Sequence, residues 1–332
     1  SLLAACGGGA QSPNAGSTAI AGSPASVEAE ARQQTRASLP STSVPSDAHV
    51  KGMWGPVFQW PMIPIHASLL PDGRLLTFGS RPDGSSTAYF NVDIWDNMGQ
   101  PSEGHMTVTN GTGNDLFCGS QLLLPPLDAT SSAKVFVAGG DAWTGTASSL
   151  TGISGATLLD TGSNSLAGAG NMGYKRWYSS TTTLVNGETY IQGGAGGSER
   201  PEVRQFDGSF RRLTGADTSF LQWSYPRNYV MPDGRLFGYD YEGRMYFVNT
   251  EGTGSVSARH ILPWQYFGTG SSAMFRPGHI LQIGGNTNGC GVVDVTSGNP
   301  VFTPTQSTSS VRKLNTAVLL PNGEVLITGG SP

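Results

Sequence analysis

Glycine-containing turns that recur along this sequence predict that the chain folds as an all-β propeller. In 332 residues, Gly 47 and Pro 21 accompany only 13% charged residues, a composition typical of many turns and few exposed helices. Apolar strands flank each recurring turn, and several of the strands that follow a turn end in Gly-Gly. The turn glycines are Gly73, Gly187, Gly234, Gly278 and Gly323.

The spacing of these glycines indicates which β fold the turns belong to. The last three intervals are 47, 44 and 45 residues, and the first is 114, or two periods with a degenerate copy at 133–140 between them. Asp-Gly and Asn-Gly are strong hairpin signals because both residues tolerate positive φ. Hairpins at this even period predict a kelch-type β-propeller with four strands per blade. The alternative is a sandwich built from separate domains, which the even period disfavours.

Residues 49–332 provide about six of the seven blades that we expect in the ring. An open ring leaves strand edges unpaired, and the chain stops two residues after its last Gly-Gly. We therefore expect the chain to be truncated at Pro332, in an incomplete propeller.

The first residues indicate export. Residues 1–6 end in Leu-Ala-Ala-Cys, which is typical of the end of a lipoprotein signal peptide and predicts lipid attachment at Cys6. Residues 7–48 are rich in Ser, Ala, Gly and Pro and should form a disordered linker. We expect an exported protein, lipid-anchored in the bacterial cell envelope or extracellular, that meets the membrane only through its anchor. A flexible terminus that happens to contain a cysteine is the alternative.

Charge and cysteine content limit the classes of partner. A net charge of −4 gives no reason to expect nucleic acid as a partner, and no apolar run reaches the length of a membrane span. We expect a monomer. After lipidation Cys118 and Cys290 remain, and the sequence leaves open whether they form a disulfide.

Two local motifs carry residues that suit redox chemistry. Phe117-Cys118 and Arg176-Trp177-Tyr178 each lie just before a strand of a repeat hairpin, a position that in a propeller lies towards the central axis. Cys118 and Tyr178 from adjacent blades could therefore meet. A buried thiol and a core aromatic ring are the structural alternative.

These motifs resemble the galactose oxidase and glyoxal oxidase family of copper-radical oxidases. The resemblance runs from about Trp54 to Pro332 and is closest to the glyoxal oxidase branch and its bacterial relatives. It implies that Cys118 forms a thioether with the ring of Tyr178, and that the modified Tyr178 binds copper and holds a radical. It also implies that Arg227 faces the substrate.

The resemblance implies an oxidase of small aldehydes or primary alcohols that reduces O2 to H2O2. Such an oxidation removes two electrons, whereas one copper ion carries one, so a second redox group is needed beside the metal. Ala195 replaces the aromatic residue that galactose oxidase stacks over its radical, which favours a glyoxal-oxidase type. The alternative is a non-catalytic kelch propeller at the cell surface that binds a glycan or a protein.

The sequence departs from the family pattern in its other copper ligands. It has no Tyr-His pair and no C-terminal immunoglobulin-like domain to supply a further His. We expect its histidines to be structural, with His279 in a hairpin turn, His66 in a strand, and the others, His49, His105 and His260, in loops. We also expect Cys290 to be a loop thiol. The chain as given should bind copper weakly or not at all, and be inactive.

Overall fold

A computed structural model describes residues 45–55, 57–85, 90–96, 102–143 and 148–332. The Leu-Ala-Ala-Cys segment, including Cys6, and most of the linker lie outside these residues. The described chain begins with a short helix, α1 (Ala48–Lys51). Within the described ranges, no helix is long and apolar enough to cross a membrane.

Among the described residues the strands form six antiparallel sheets, which we number as blades in chain order. Blade 1 contains β1 (Ile63–Leu69), β2 (Leu75–Ser80), β3 (Asn91–Trp95) and β4 (His105–Thr109). Blade 2 contains β5 (Ser120–Leu124), β6 (Lys134–Ala138), β7 (Asp141–Trp143), β8 (Ser148–Asp160) and β9 (Ser165–Arg176). Blade 3 contains β10 (Ser179–Thr183), β11 (Thr189–Gly193), β12 (Glu202–Arg204) and β13 (Phe210–Arg212).

The remaining blades continue the pattern. Blade 4 contains β14 (Arg227–Val230), β15 (Leu236–Tyr239), β16 (Arg244–Asn249) and β17 (Ser255–Ile261), and a 3-10 turn (Trp264–Tyr266) follows it. Blade 5 contains β18 (Ser271–Arg276), β19 (His279–Ile283), β20 (Cys290–Asp294) and β21 (Val301–Thr305). Blade 6, as described, is the hairpin of β22 (Lys313–Leu319) and β23 (Val325–Ser331).

The five turn glycines connect the first and second strands of blades 1, 3, 4, 5 and 6. Their φ angles are all positive, from 74° to 88°, a conformation that glycine adopts without steric cost. The degenerate copy forms β6 of blade 2. That blade carries the additional strand β7 and the long strands β8 and β9, which together lengthen the first interval.

The first strand of each blade lies beside the first strand of the next. The Gln121 amide in β5 donates to the Ala67 carbonyl in β1 (2.8 Å), and the Thr181 hydroxyl in β10 donates to the Gln121 carbonyl (3.1 Å). Ser271 in β18 likewise donates to the Asn315 carbonyl in β22. The innermost strands therefore surround one axis, as the propeller prediction requires.

The hydrophobic core lies between the blades. In β6, Val135 and Val137 pack with Phe78 of blade 1, whereas Phe136 packs with Ile191 of blade 3. Successive residues of a strand point to opposite faces, so each middle strand faces two neighbouring blades. This explains why the strands after the turns are apolar on both faces.

Buried hydroxyl groups add directional bonds between blades. The Tyr246 hydroxyl donates to Gln192 Oε1 of blade 3 (3.1 Å), and the Tyr239 hydroxyl donates to Gln282 Oε1 of blade 5 (2.7 Å). Burial raises the pKa of both phenols, so both remain protonated donors. These bonds satisfy polar groups that would otherwise be costly to bury.

Aspartates in the blade turns predict how stability depends on pH. The backbone N–H of Ser163 and the hydroxyl of Ser132 donate to Asp160 and lower its pKa to about 2. Because folding lowers this pKa, Asp160 stabilises the fold above the ordinary Asp pKa of about 4, and that stabilisation is lost as pH falls towards 2. Asp72 and Asp233 also have lowered pKa values, chiefly through the side chains of Arg74 and Arg235.

We therefore expect the melting temperature to fall between about pH 4 and pH 2. Thermal unfolding followed by circular dichroism at several pH values measures this fall. The melting temperature of Asp160→Asn should fall less steeply than that of the wild-type protein. Parallel curves for the two proteins would contradict the assignment.

Candidate redox site at the hub

Three residues that precede first strands have an unusual backbone conformation. Cys118 precedes β5 with φ 59°, Tyr178 precedes β10 with φ 67°, and Tyr225 precedes β14 with φ 45°. A left-handed conformation costs a residue with a Cβ about 1–2 kcal/mol. We call these three the hub residues. Strain of this kind at equivalent points in three successive blades must be offset by the surroundings, and it is concentrated at functional sites in proteins.

Backbone hydrogen bonds join the hub residues in sequence. The Tyr178 N–H donates to the Cys118 carbonyl (3.0 Å), and the Tyr225 N–H donates to the Tyr178 carbonyl (2.8 Å). The same relation recurs between blades 6 and 5, where the Leu314 N–H donates to the Thr269 carbonyl (2.8 Å). Residues far apart in the sequence are thereby placed side by side at one level of the hub.

The structure brings the two residues of the predicted thioether together. Cys118 (0% exposed) and Tyr178 (7% exposed) lie in one buried cluster with Phe117 and Trp177. Cys118 and Cys290 do not form a disulfide, which answers the question that the sequence left open.

Aromatic rings stack on Tyr178 from positions that the sequence prediction missed. The Trp177 ring lies 4.0 Å from the Tyr178 ring at 19°, and the Tyr225 ring lies 4.6 Å away at 25°. Trp223 is nearly parallel to Tyr178 at 6.0 Å. Ala195 also packs against this cluster. Ala195 itself supplies no ring, and Trp177, Trp223 and Tyr225 are the residues whose rings stack on Tyr178.

A cavity of about 540 Å³ opens at the hub beside Tyr178 and Tyr225. Arg227, predicted to face the substrate, lies in its wall. The Arg227 guanidinium donates to the Gly268 carbonyl (2.9 Å) and to the Gly270 carbonyl, and it lies over the ring of Tyr239. These contacts hold the cation in a fixed orientation at the cavity.

One histidine lines the same cavity, a position that sequence reasoning did not anticipate. His66 in β1 lies in the cavity wall, and its ring stacks on Phe78 at 4.6 Å. Burial lowers the His66 pKa to about 4, so the imidazole is neutral at pH 7. Its strand position was predicted, but an isolated histidine in a strand gives no signal that it borders a cavity.

Several residues expected in loops or turns lie in regular secondary structure. His105 begins β4 and its Nδ1 bonds to Asp93 (2.7 Å), and His260 lies in β17. His279 begins β19, immediately after its turn, and His49 lies in α1. Cys290 is buried and begins β20. These strand positions were misread because each lies at or next to the end of its strand, where a polar or small residue resembles the turn beside it.

The described residues supply only part of a copper site. Tyr178 offers a phenol oxygen and Cys118 a thiol that could modify it. Across the described ranges, however, no group of three or more His, Cys, Asp or Glu side chains could hold a metal ion. These residues therefore do not by themselves fit a complete copper centre.

Close glycine packing beneath the site predicts a contrast between two substitutions. A Cβ at Gly140, where φ is 140°, would lie 1.9 Å from the Asp115 carbonyl oxygen, whereas a Cβ at Gly73 meets nothing within 4 Å. Gly73→Ala should cost only the strain of positive φ, about 1–2 kcal/mol. Gly140→Ala should cost about 3 kcal/mol or more because backbone must also move. Melting temperatures compare the two, and equal losses would contradict the packing described.

The chain resembles known proteins over 84% of its length. No family model matches it. The chain is 26% identical over 319 residues to galactose oxidase of Gibberella zeae, a match that covers 84% of this chain and 44% of the relative. It also superposes on a fungal alcohol oxidase of the AA5 family in complex with copper, with a TM-score of 0.68, 21% identity, and coverage of 84% of this chain and 61% of the other.

The chain thus spans less than half the length of the curated relative and about three fifths of the solved structure. The structural match confirms the predicted β-propeller fold. The sequence match and the shared fold together confirm the resemblance of this chain to the galactose oxidase and glyoxal oxidase family.

Proposed function

We propose that this chain belongs to a copper-radical oxidase that acts on small aldehydes or primary alcohols and reduces O2 to H2O2. The observation that carries the proposal is the placement of Cys118 and Tyr178 in one buried cluster, with their backbones hydrogen-bonded. The similarity to galactose oxidase and to a copper-bound alcohol oxidase supports copper and oxidase chemistry.

The first step is formation of the cofactor from the chain's own residues. The Cys118 sulfur bonds to the Tyr178 ring carbon beside the hydroxyl, and the thiol and ring hydrogens leave as two protons and two electrons. O2 accepts the two protons and the two electrons and becomes H2O2. The fixed backbone geometry favours this step because the reacting groups are already adjacent. A sulfur-substituted phenol is then easier to oxidise than an ordinary tyrosine.

The second step is oxidation of the substrate in the hub cavity. A primary alcohol loses two electrons and two protons to become an aldehyde, or an aldehyde hydrate becomes a carboxylic acid, and O2 takes up both pairs as H2O2. Tyr178 would hold the copper ion through its phenol oxygen, and the ion would supply Lewis acidity and one-electron redox chemistry there. Arg227 is proposed to donate hydrogen bonds to a substrate oxygen, since guanidinium donors are fixed and always charged.

The chain covers less than half of galactose oxidase. The oxidase activity is therefore proposed for the whole protein and not for this chain alone. Residues 1–332 alone are proposed to be inactive, since the described part holds no complete set of metal ligands. Lipidation at Cys6 and export to the cell envelope are proposals as well, as is the monomeric state.

The cross-link gives the direct test of this function. Full-length protein treated with copper and O2 should have a mass about two hydrogens below that of its sequence, and it should release peroxide with glyoxal-like aldehydes. Cys118→Ser should remove the mass deficit and lower kcat/KM by about 100-fold or more, because the modified phenol cannot form. Cys290→Ser is the matched control and should retain both properties. Unchanged turnover in Cys118→Ser would rule out the proposed radical.

Arg227 gives a separate test of substrate binding. Arg227→Gln should raise KM by about 10-fold or more, because a hydrogen bond from a charged donor is lost. Arg235→Gln, which removes an exposed arginine paired with Asp233, should leave KM unchanged. Melting temperatures of both variants show whether the lost bonds of Arg227 to Gly268 and Gly270 disturb the fold. A normal KM in folded Arg227→Gln would contradict the assignment.

The absence of a metal-binding cluster among the described residues favours one alternative, a non-catalytic propeller that binds a glycan or a protein at the cell surface. Full-length protein that forms no cross-link and no peroxide with copper, yet retains glycans on an array, would support that alternative.

A further inference from the structure

An ion pair lies completely buried next to the candidate redox site. Arg176 and Glu202 are both 0% exposed, and Arg176 Nη2 lies 2.8 Å from Glu202 Oε2. Arg176 ends β9 of blade 2 and Glu202 begins β12 of blade 3, so the pair spans two blades. Trp177 and Tyr178 follow Arg176 directly in the chain.

The Arg176 guanidinium also binds the loop that faces Tyr178. Nη1 donates to the Gly193 carbonyl (2.7 Å) and the Gly197 carbonyl (3.2 Å), and Nη2 donates to the Arg200 carbonyl (2.9 Å). This loop carries Ala195, which packs against the Cys118 and Tyr178 cluster. One side chain therefore holds the wall of the site in place.

The Ala195 backbone closes the same network around Trp177. The Ala195 N–H donates to the Trp177 carbonyl (2.7 Å). Glu202 completes the link to blade 2 by accepting a hydrogen bond at Oε1 from the Gly173 N–H (2.7 Å). The residues from 173 to 177, which lead to Tyr178, are thus held by hydrogen bonds to Glu202, to Ala195 and to the loop that contains Ala195.

The Arg176 backbone is enclosed as closely as its side chain. Its carbonyl accepts a hydrogen bond from the Gly140 N–H (2.9 Å). A Cβ at Gly139 would lie 2.1 Å from that carbonyl oxygen, and a Cβ at Gly152 would lie 2.3 Å from the Arg176 carbonyl carbon. Only glycine permits so close an approach, which leaves the backbone before Tyr178 little room to move.

Stability alone does not account for such a pair. Burying two charges carries a large desolvation cost, and well-packed apolar residues in their place are often equally stable or more so. What apolar residues cannot provide is direction, because the planar guanidinium binds several acceptors in a fixed geometry. Here those acceptors surround a tyrosine held in a strained conformation.

We propose that Arg176 and Glu202 are positioning residues that hold Tyr178 against Cys118 in the geometry needed for thioether formation. The inference rests on the proposed function, since the thioether is part of it. Neither residue is assigned contact with the substrate or the metal. A misplacement of about 1 Å at a reacting group can slow a reaction about 100-fold, so loss of this fixed geometry should have a measurable effect.

The test separates positioning from stability by removing both charges together. Arg176→Met combined with Glu202→Leu fills the same space with apolar side chains and leaves no unpaired charge. Arg176→Met alone leaves the Glu202 carboxylate buried without its partner. Asp93→Asn is the matched control, because it removes a buried carboxylate that pairs with His105 in blade 1. The cross-linking rate is read from the mass deficit after copper and O2 are added to full-length protein, and melting temperatures are recorded in parallel.

We expect the double variant to melt near the wild-type temperature but to cross-link on the order of 10- to 100-fold more slowly. Asp93→Asn should cross-link at the wild-type rate whatever its melting temperature. If the double variant cross-links at the wild-type rate, or if the rate follows the melting temperature in every variant, the positioning role is wrong.

A second measurement does not depend on cross-linking. In copper-free protein lacking Cys6 and Cys290, maleimide labelling of Cys118, which is 0% exposed, is followed by mass spectrometry of the peptide that contains it. Labelling should be at least about 10-fold faster in the double variant than in the parent at temperatures well below melting, because the cluster around the thiol is released. Equal labelling rates would overturn the inference. If the wild-type protein never cross-links, the proposed function fails, and this labelling still decides the positioning role.

Discussion

The hydrogen bonds between backbones of successive hub residues are the constraint on which the candidate site depends. Each bond joins a residue that leads into one blade to its counterpart in the preceding blade, with donor–acceptor distances of 3.0 and 2.8 Å for the pairs that involve Tyr178. A strained φ is tolerated there because the N–H and C=O groups are satisfied across the junction. Cys118 and Tyr178, which come from separate blades, consequently lie in one buried cluster, as the proposed thioether requires.

The architecture separates this chemistry from the interactions that stabilise the fold. Apolar clusters lie between the blades, as where Phe136 of β6 packs with Ile191 of β11. The hub instead contains hydroxyls, phenols and the guanidinium of Arg227. Because the apolar contacts lie away from the axis, side chains that line the hub cavity can change without disturbing the packing between blades. This agrees with a shared fold at only 21% identity, and it is why the fold alone does not identify a substrate.

Sequence reasoning predicted the blades because their signals are local. The glycine of an Asp-Gly or Asn-Gly turn, such as Gly73, has a backbone requirement that can be read from two residues, and all five predicted turns have positive φ. The pairing of Cys118 with Tyr178 was reached through motifs. The stacking of Tyr225 on Tyr178 was missed, because it depends on a left-handed backbone at residues that rarely adopt one.

Other features were missed because they depend on partners distant in sequence. Arg176 looks like an ordinary polar strand end until Glu202 is placed opposite it by blade packing. Cys290 and His105 were placed in loops, since a single polar or small residue at the first position of a strand resembles the turn before it. The cavity beside His66 belongs to the arrangement of five blades around an axis and has no signature in any one segment.

The adjacency of Cys118 and Tyr178 has a consequence for the durability of the molecule. The two residues are 60 positions apart in the chain, so a covalent bond between them would close a loop that contains the whole of blade 2. By the chain-entropy relation for such closures, a link of this length disfavours the unfolded state by about 4 kcal/mol. Maturation of the redox group would then also act as a staple, and a protein that had acquired its catalytic phenol would be harder to unfold than its precursor.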